Sequence, residues 1–443
     1  MKYVNRKKVF TAAITAAMLA GLLAGSGSAL ALGNSQYSTG SVTVLSAATG
    51  ASADSDVYTE RDLAQSADLS EAKTLTVSDN STVEITESGT YVLTGTATNC
   101  IVKITVTDEK AKVQLVLDGV SITNDALPCI YVVEADKVFI TTAEGSDNTL
   151  TVTGSFVADG DTNTDAVIFS KDDLTLNGLG TLTVVSYDGN GISCKDDLKV
   201  TGGSYVIQSA DDGIEVNDSI NICGGTFTIQ SYKDGIHCEN DEDYTLGSIA
   251  ITDGSFTIEA ASDGIQATTT LVIDGGSFDL KATEALEATN ITINGGTVKI
   301  YATDDGINAT AKSKACEVAI TVNGGDITIE MGQGDTDALD ANGSIYINGG
   351  TLNITANSPF DYDRVGQLNG GTVTVNGSQV SELTNQMMGG PGNMGGFGGG
   401  FGGQMGGFGG QGAPSGDFGG GMGRPGGDMG GQGGGMGGRG GWH

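Results

Sequence analysis

Asp211-Asp-Gly-Ile-Glu-Val216, Lys233-Asp-Gly-Ile-His-Cys238, Ser262-Asp-Gly-Ile-Gln-Ala267, Asp304-Asp-Gly-Ile-Asn-Ala309 and Thr336-Asp-Ala-Leu-Asp-Ala341 are one unit written five times, recurring about every 22 residues. Thr283-Glu-Ala-Leu-Glu-Ala288 is the same unit with its turn degenerate. A period in this range points to a stacked repeat. Each unit leads into a short I-x-I strand, a Gly-Gly turn and a second alternating strand; the turns fall at Gly202-Gly203, Gly224-Gly225, Gly275-Gly276, Gly295-Gly296, Gly324-Gly325, Gly349-Gly350 and Gly370-Gly371. Side chains on a strand alternate between faces. Tyr205, Phe227, Phe256 and Phe278 therefore share one face at equivalent positions, with Ile207, Ile229, Ile258 and Leu280 two residues on, and both sets are expected to form internal stacks. Period-2 strands with no helical segment between them predict an all-β parallel β-helix, a solenoid of about a dozen coils over residues 75–381. An antiparallel β-sandwich is the competing fold, but ladders of one residue type at one turn require parallel, in-register stacking.

The two ends read differently. Lys2, Arg6, Lys7 and Lys8 precede an apolar run from Val9 to Leu23, and Ala29-Leu30-Ala31 supplies small residues for cleavage, so residues 1–31 read as a secretory signal peptide. The mature protein is then expected outside the cell or at its surface, with no membrane insertion. Residues 32–74, rich in Ser, Thr, Ala and Asp, read as a solvated linker. Residues 382–443 form a Gly/Met/Phe-rich tail with too little side chain to offset ordering entropy, hence expected to be disordered and available for weak self-association.

The chain has 443 residues, with 21 Lys plus Arg against 54 Asp plus Glu and a net charge of −33. That balance excludes a protein built to hold nucleic acid. The tail sets Arg424 and Arg439 against Asp417 and Asp428, so the acidity belongs to the repeats and their lead-in.

Stacking turns the repeat into columns. The residue before each Gly-Ile step reads Asp165, Asn190, Asp212, Asp234, Asp263, Glu284, Asp305, Asp337; the outward slot three residues on reads Glu215, His237, Gln266, Glu287, Asn308, Asp340. Carboxylates one strand spacing apart repel unless protonated, solvated or bridged by a cation, and Ca²⁺, with its six to eight oxygen ligands, suits such a column. The candidate metal clusters are Asp211, Asp212, Glu215 and Asp234, then Asp304, Asp305, Asp335, Asp337 and Asp340, then Asp159, Asp161, Asn163 and Asp165, whose alternate spacing is that of a calcium loop lacking its Gly and distal Glu. The alternative is an acidic face that keeps a long solenoid soluble.

Six Cys in a secreted chain invite disulfides, yet Cys194 and Cys238 fall in an inward column and read as buried free thiols; a Cys100–Cys129 pair stays open. His237 has no partner for nucleophilic catalysis and reads as an exposed polar side chain. A lyase acting on uronates needs a basic residue beside Ca²⁺, and Arg61 and Arg364 occupy no recurring position. Hydrolysis needs a carboxyl of raised pKa in a cleft, which an open repeated face does not promise.

Gly89-Thr-Tyr-Val-Leu-Thr-Gly95, Val113-Gln-Leu-Val-Leu-Asp-Gly-Val-Ser-Ile-Thr-Asn124, Ala135-Asp-Lys-Val-Phe-Ile-Thr141 and Glu144-Gly145, followed by the Asp-Gly-Ile coils, resemble the bacterial carbohydrate-binding domain-containing protein family of the clostridial cellulose- and polygalacturonate-binding type. The resemblance implies a secreted right-handed parallel β-helix that binds acidic plant polysaccharide and calcium without catalysis. The residues add one condition: an anionic glycan such as polygalacturonate or pectin meets an acidic face only through bridging Ca²⁺. Neutral cellulose needs exposed aromatic platforms. Tyr131, Tyr301 and Tyr346 are expected to point outward and, with His237, Glu287 and Asn308, are the candidate sugar contacts. A surface adhesin or matrix protein associating through its tail is the alternative function, and a polysaccharide lyase the second.

Overall fold

The computed structural model describes residues 57–385 apart from 109, 241 and 335. The chain divides into two units, Met1–Gly390 and Pro391–His443, and every described residue lies in the first. The signal peptide, most of the tail and Asp335 lie outside the described residues.

Among the described residues the chain is all-β apart from one helical turn, Glu60–Leu63, and no helix is long and apolar enough to cross a membrane. Its strands form one 22-stranded and one 12-stranded sheet. The register shows why: each strand pairs in parallel with its equivalent in the next repeat. Tyr205 pairs with Phe227, Phe227 with Phe256, Phe256 with Phe278, then Val298, Ile327, Leu352 and Val373 in turn. An antiparallel strand pair, Thr372–Val375 with Ser378–Val380, ends the larger sheet. The competing antiparallel sandwich is thereby excluded.

The expected aromatic stack is present, with ring centroids 5.2, 4.8 and 4.6 Å apart along Tyr205, Phe227, Phe256 and Phe278. Those distances match the spacing of neighbouring strands, so the rings stack because the backbone ladder does. Burial alternates strictly along Ser255–Ala260, Ser277–Ala282 and Thr297–Ala302, placing one face of each strand in a single continuous core.

The Gly-Gly turns are required by stacking. A Cβ on Gly324 would lie 2.4 Å from the Asn294 carbonyl oxygen of the previous repeat, and the next residue, Gly325, has φ +93°. Beside these turns runs an amide ladder: Asn294 donates to Asp274 Oδ1 at 2.7 Å, Asn323 to Asn294 at 2.7 Å, Asn348 to Asn323 and Asn369 to Asn348 at 2.8 Å each. Each side chain satisfies the next, which holds the turns in register.

Residues 57–65 pack as an entry segment rather than a solvated linker, while most of 66–72 stays exposed. Thr59 caps the turn Glu60–Leu63 in a capping box with Asp62, and the segment docks on the outer face of the larger sheet. Asp62 is fully buried: its carboxylate pairs with Lys137 at 2.8 Å and accepts from Thr175 Oγ1 at 2.6 Å, while its carbonyl accepts from Asn177 Nδ2 at 3.1 Å and from the Thr201 hydroxyl. Arg61 donates to Gln114 Oε1 at 3.1 Å and lies 4.4 Å from the Phe139 ring centroid. Burial pushes the Asp62 carboxyl up, but its hydrogen bonds from Lys137, Thr175 and Thr59 prevail and hold it well below the usual range.

The six cysteines are free thiols. Cys194 and Cys238 lie fully buried in the inward column that runs Cys194, Val216, Cys238, Ala267.

Candidate carbohydrate and cation site

The 12-stranded sheet carries the units that open the sequence. Its outward column pairs Ser193 with Glu215, then His237, Gln266, Glu287, Asn308, Asp340 and Asp361, strand by strand. The neighbouring column does structural work with half of each side chain. Asn190 Oδ1 accepts the Asp212 N–H at 2.9 Å, Asp212 Oδ1 accepts that of Asp234 at 3.0 Å, and Asp234 Oδ1 accepts that of Asp263 at 2.9 Å. One carboxylate oxygen thus ties each repeat to the next, and the other meets the neighbouring outward column, at His237 for Asp212 and Asp234 and at Gln266 for Asp263.

Around Asp211, Asp212, Glu215 and Asp234 the protein supplies its own cations. Lys195 meets Glu215 at 3.0 Å and Lys233 meets Asp211 at 3.4 Å. His237 is not the exposed side chain expected. It is mostly buried, its Nδ1 3.2 Å from Asp212 Oδ2 and 3.5 Å from Asp234 Oδ2, its Nε2 3.2 Å from Glu239 Oε2. Burial alone opposes its charge, but the hydrogen bond to Asp212, the Glu239 carboxylate beside Nε2 and the charges of Asp212 and Asp234 outweigh it and raise the imidazole to about 10. An imidazolium therefore occupies the centre of this cluster.

In the next repeats Asp263, Glu284 and Glu287 bring carboxylate oxygens within 4.8 Å of one another. Lys312 reaches Glu287 at 2.8 Å, and Gln266 donates to Asp263 Oδ2 at 2.7 Å and to Glu287. Desolvation, then the charges of Asp234 and Glu287, push the Asp263 carboxyl up. Glu287, expected to be outward and free for sugar, is buried beneath this pairing.

Farther along, compensation stops. Burial and the charges of Asp340 and Glu284 push the Asp305 carboxyl up to about 8; burial and Asp361, Asp337 and Asp363 push Asp340 up to about 7. The leading causes of both shifts are burial and negative charges, and neither carboxyl has an ion pair among the described residues. These carboxyls are more desolvated than an open repeated face predicts, because the stacked side chains cover one another. Asn308 is nine-tenths buried, donates Nδ2 to Glu284 Oε2 at 2.7 Å, and leaves its buried Oδ1 without a partner. Asp337 accepts from Ser358 and Asp304 is exposed.

The calcium-loop spacing over Asp159, Asp161, Asn163 and Asp165 does not gather oxygens. Asp159 and Thr162 close a small antiparallel bridge, Lys103 lies 3.5 Å from Asp159, and Asn163 donates to Asp165 at 2.7 Å. Tyr131 does lie in the outward column, in register with Phe169, Ser193 and Glu215, but it is covered rather than exposed: it is buried, in edge contact with Phe169 at 5.7 Å, with Lys103 5.5 Å from its ring. Tyr301 is exposed and Tyr346 half-buried, but both belong to the larger sheet. The candidate sugar contacts therefore divide between two sheets.

One acidic group escaped the sequence reading. Asp173, Asp196 and Asp197 converge within 4.8 Å, and burial with the charges of Asp173 and Asp197 raises Asp196 to about 6. Lys-Asp-Asp-Leu, written at 171–174 and again at 195–198, was the available signal.

The chain is an all-β protein of stacked parallel strands with a polar and acidic column along one sheet. The family model for carbohydrate-binding domain-containing protein matches residues 79–358, and this chain belongs to that family. A carbohydrate-binding domain-containing protein of Acetivibrio thermocellus is 40% identical over 129 residues, which are 29% of this chain and 45% of that protein. The match thus spans less than half of that relative's length. A solved structure described as the polysaccharide lyase-like protein from C. thermocellum, a gadolinium derivative, is 28% identical, covering 59% of this chain and 98% of that one at a TM-score of 0.44.

Proposed function

We propose that the chain is a secreted right-handed parallel β-helix that binds an acidic polysaccharide of the polygalacturonate type without cleaving it, using Ca²⁺ held on the outward acidic column as the bridge. The observation that carries this reading is the change along the column. His237, Lys195 and Lys233 neutralise its first part, whereas Asp305 and Asp340 keep raised pKa values with no cation beside them and Asn308 Oδ1 lacks a partner. Carboxyl and amide oxygens on neighbouring strands of one sheet, one of them buried without a partner, are the kind of donor that a hard, oxygen-seeking divalent cation takes. Asp305, Asn308 and Asp340 would hold it, and when bound it supplies positive charge to carboxylates of the glycan. The chain's own residues set the spacing, since the ladder fixes one acidic position per repeat.

Pull-down on polygalacturonate tests this: retention in Ca²⁺ and release in EDTA are expected, and retention indifferent to EDTA refutes the bridge. The raised Asp305 and Asp340 carboxyls also favour a second reading, a general acid in glycoside cleavage. Release of reducing ends from the bound polymer would establish it in place of binding alone.

A further inference from the structure

His237 faces more carboxylate than one ring can satisfy. Its Nδ1 meets two oxygens, Asp212 Oδ2 at 3.2 Å and Asp234 Oδ2 at 3.5 Å, and its Nε2 meets Glu239 Oε2 at 3.2 Å. A ring nitrogen carries a single proton, which points one way. The contact with Asp212 is a hydrogen bond, that with Asp234 is longer and is not, and Nε2 is buried without a well-directed partner. The nearby lysines are committed elsewhere, Lys195 to Glu215 and Lys233 to Asp211.

The surrounding repeats hold these groups in place. Asp212 and Asp234 are buried, and each is fixed by its other oxygen: Asp212 Oδ1 accepts the Asp234 N–H at 3.0 Å and Asp234 Oδ1 accepts the Asp263 N–H at 2.9 Å. The ring is set by the parallel register, His237 lying between Glu215 and Gln266 on adjoining strands. The donor spacing is that of a small metal ion. With metal–ligand bonds of about 2.0–2.2 Å, neighbouring corners of a tetrahedron stand about 3.4 Å apart, and the two Nδ1–Oδ2 separations, 3.2 and 3.5 Å, bracket that edge. One imidazole and two carboxylate donors lie within 4.8 Å of one another. Across the ring, Glu239 stands where a carboxylate orients a metal-bound imidazole through its second nitrogen.

We infer that His237 Nδ1, Asp212 Oδ2 and Asp234 Oδ2 form a binding site for a transition-metal dication of the zinc class, with Glu239 as the residue that positions the imidazole. The nitrogen donor decides the class. Imidazole and carboxylate together suit zinc, whereas Ca²⁺ takes six to eight oxygens and finds two carboxylates here. Three protein donors leave a fourth position for water. The metal takes the place that a proton holds in the metal-free chain, and it links both carboxylates where the proton links one. This site is separate from Asp305, Asn308 and Asp340, and neither needs the other.

Equilibrium dialysis of the full chain against Zn²⁺ in excess Ca²⁺ tests it. His237→Gln removes the nitrogen donor. Asp234→Asn removes the ligand charge while keeping the oxygen that accepts the Asp263 N–H, so it guards against a variant that fails to fold. We expect wild type to take up one Zn²⁺ per chain, His237→Gln and Asp234→Asn to lose it at the same free concentration while still melting cooperatively, Glu239→Gln to bind about 10- to 100-fold more weakly, and Asp340→Asn to bind as wild type. Co²⁺ in place of Zn²⁺ should give a spectrum without a thiolate charge-transfer band. No uptake by wild type, uptake by both ligand variants equal to wild type, displacement by Ca²⁺, or a thiolate band, which would move the metal to Cys223 or Cys316, would overturn the site. A Glu239→Gln affinity equal to wild type would overturn the positioning role.

Discussion

His237 Nδ1 lies 3.2 Å from Asp212 Oδ2, one repeat below it, so a protonated imidazole holds the place in the acidic column where two carboxylates would otherwise face each other unscreened. The fold raises this imidazole from 6.5 to about 10. A group whose folded pKa is raised contributes stability that is complete below its unfolded pKa and lost as pH rises through the folded value. Wild-type protein should therefore lose stability relative to His237→Gln between about pH 6.5 and 10, read from thermal melts of both proteins. A difference between them that stays constant over that window would contradict the charged assignment.

The pair Asp62–Lys137 fastens the segment 57–65 to the larger sheet. Removing one partner of a buried ion pair leaves the other uncompensated, at about 3–5 kcal/mol. Asp62→Ala should cost that much in urea unfolding, provided the transition stays cooperative. A loss below about 1 kcal/mol, the level of a surface pair, would mean that the segment does not hold this contact in solution.

Turn glycines should differ in cost according to what stacks against them. Gly324→Ala drives a methyl into the Asn294 carbonyl, whereas a methyl on Gly377, where φ is +78°, would meet nothing within 4 Å. Gly377→Ala should cost about 1 kcal/mol from backbone strain alone, and Gly324→Ala several times that or a failure to fold. Equal costs would remove the stacking argument for the turn.

The parallel register and the ring stack were legible because both are direct consequences of periodicity: Phe227, Phe256 and Phe278 sit at one position of one repeat. What neighbouring repeats do to one another was less legible. His237 reads as a surface residue until Asp212 and Asp234 are set against its ring, and Tyr131 reads as exposed until Phe169 and Lys103 are set against it. The docking of Asp62 depends on Lys137, Thr175 and Thr201, scattered over three strands, and no local pattern announces it. Periodicity reports which column a residue joins, but the charge state of a column depends on the non-periodic lysines and insertions beside it.

A pH response of the same sign, in a lower window, should appear at the uncompensated end. Raised carboxyls such as Asp305 and Asp340 stabilise most when neutral, below their unfolded pKa near 4, and that contribution is lost as pH rises towards 8. Ca²⁺ bound to the ionised pair should offset the loss, so its effect on melting temperature should grow from about pH 5 to 8 and shrink in Asp340→Asn. A Ca²⁺ effect that is flat with pH, or equal in the variant, would place the metal elsewhere.

The most direct measurement is co-sedimentation with polygalacturonate of wild type and of the Asp305→Asn, Asp340→Asn double variant across a Ca²⁺ titration. Wild type should sediment in Ca²⁺ and stay soluble in EDTA, and the double variant should stay soluble in both. Sedimentation of the variant equal to wild type, or of wild type in EDTA, would contradict the account.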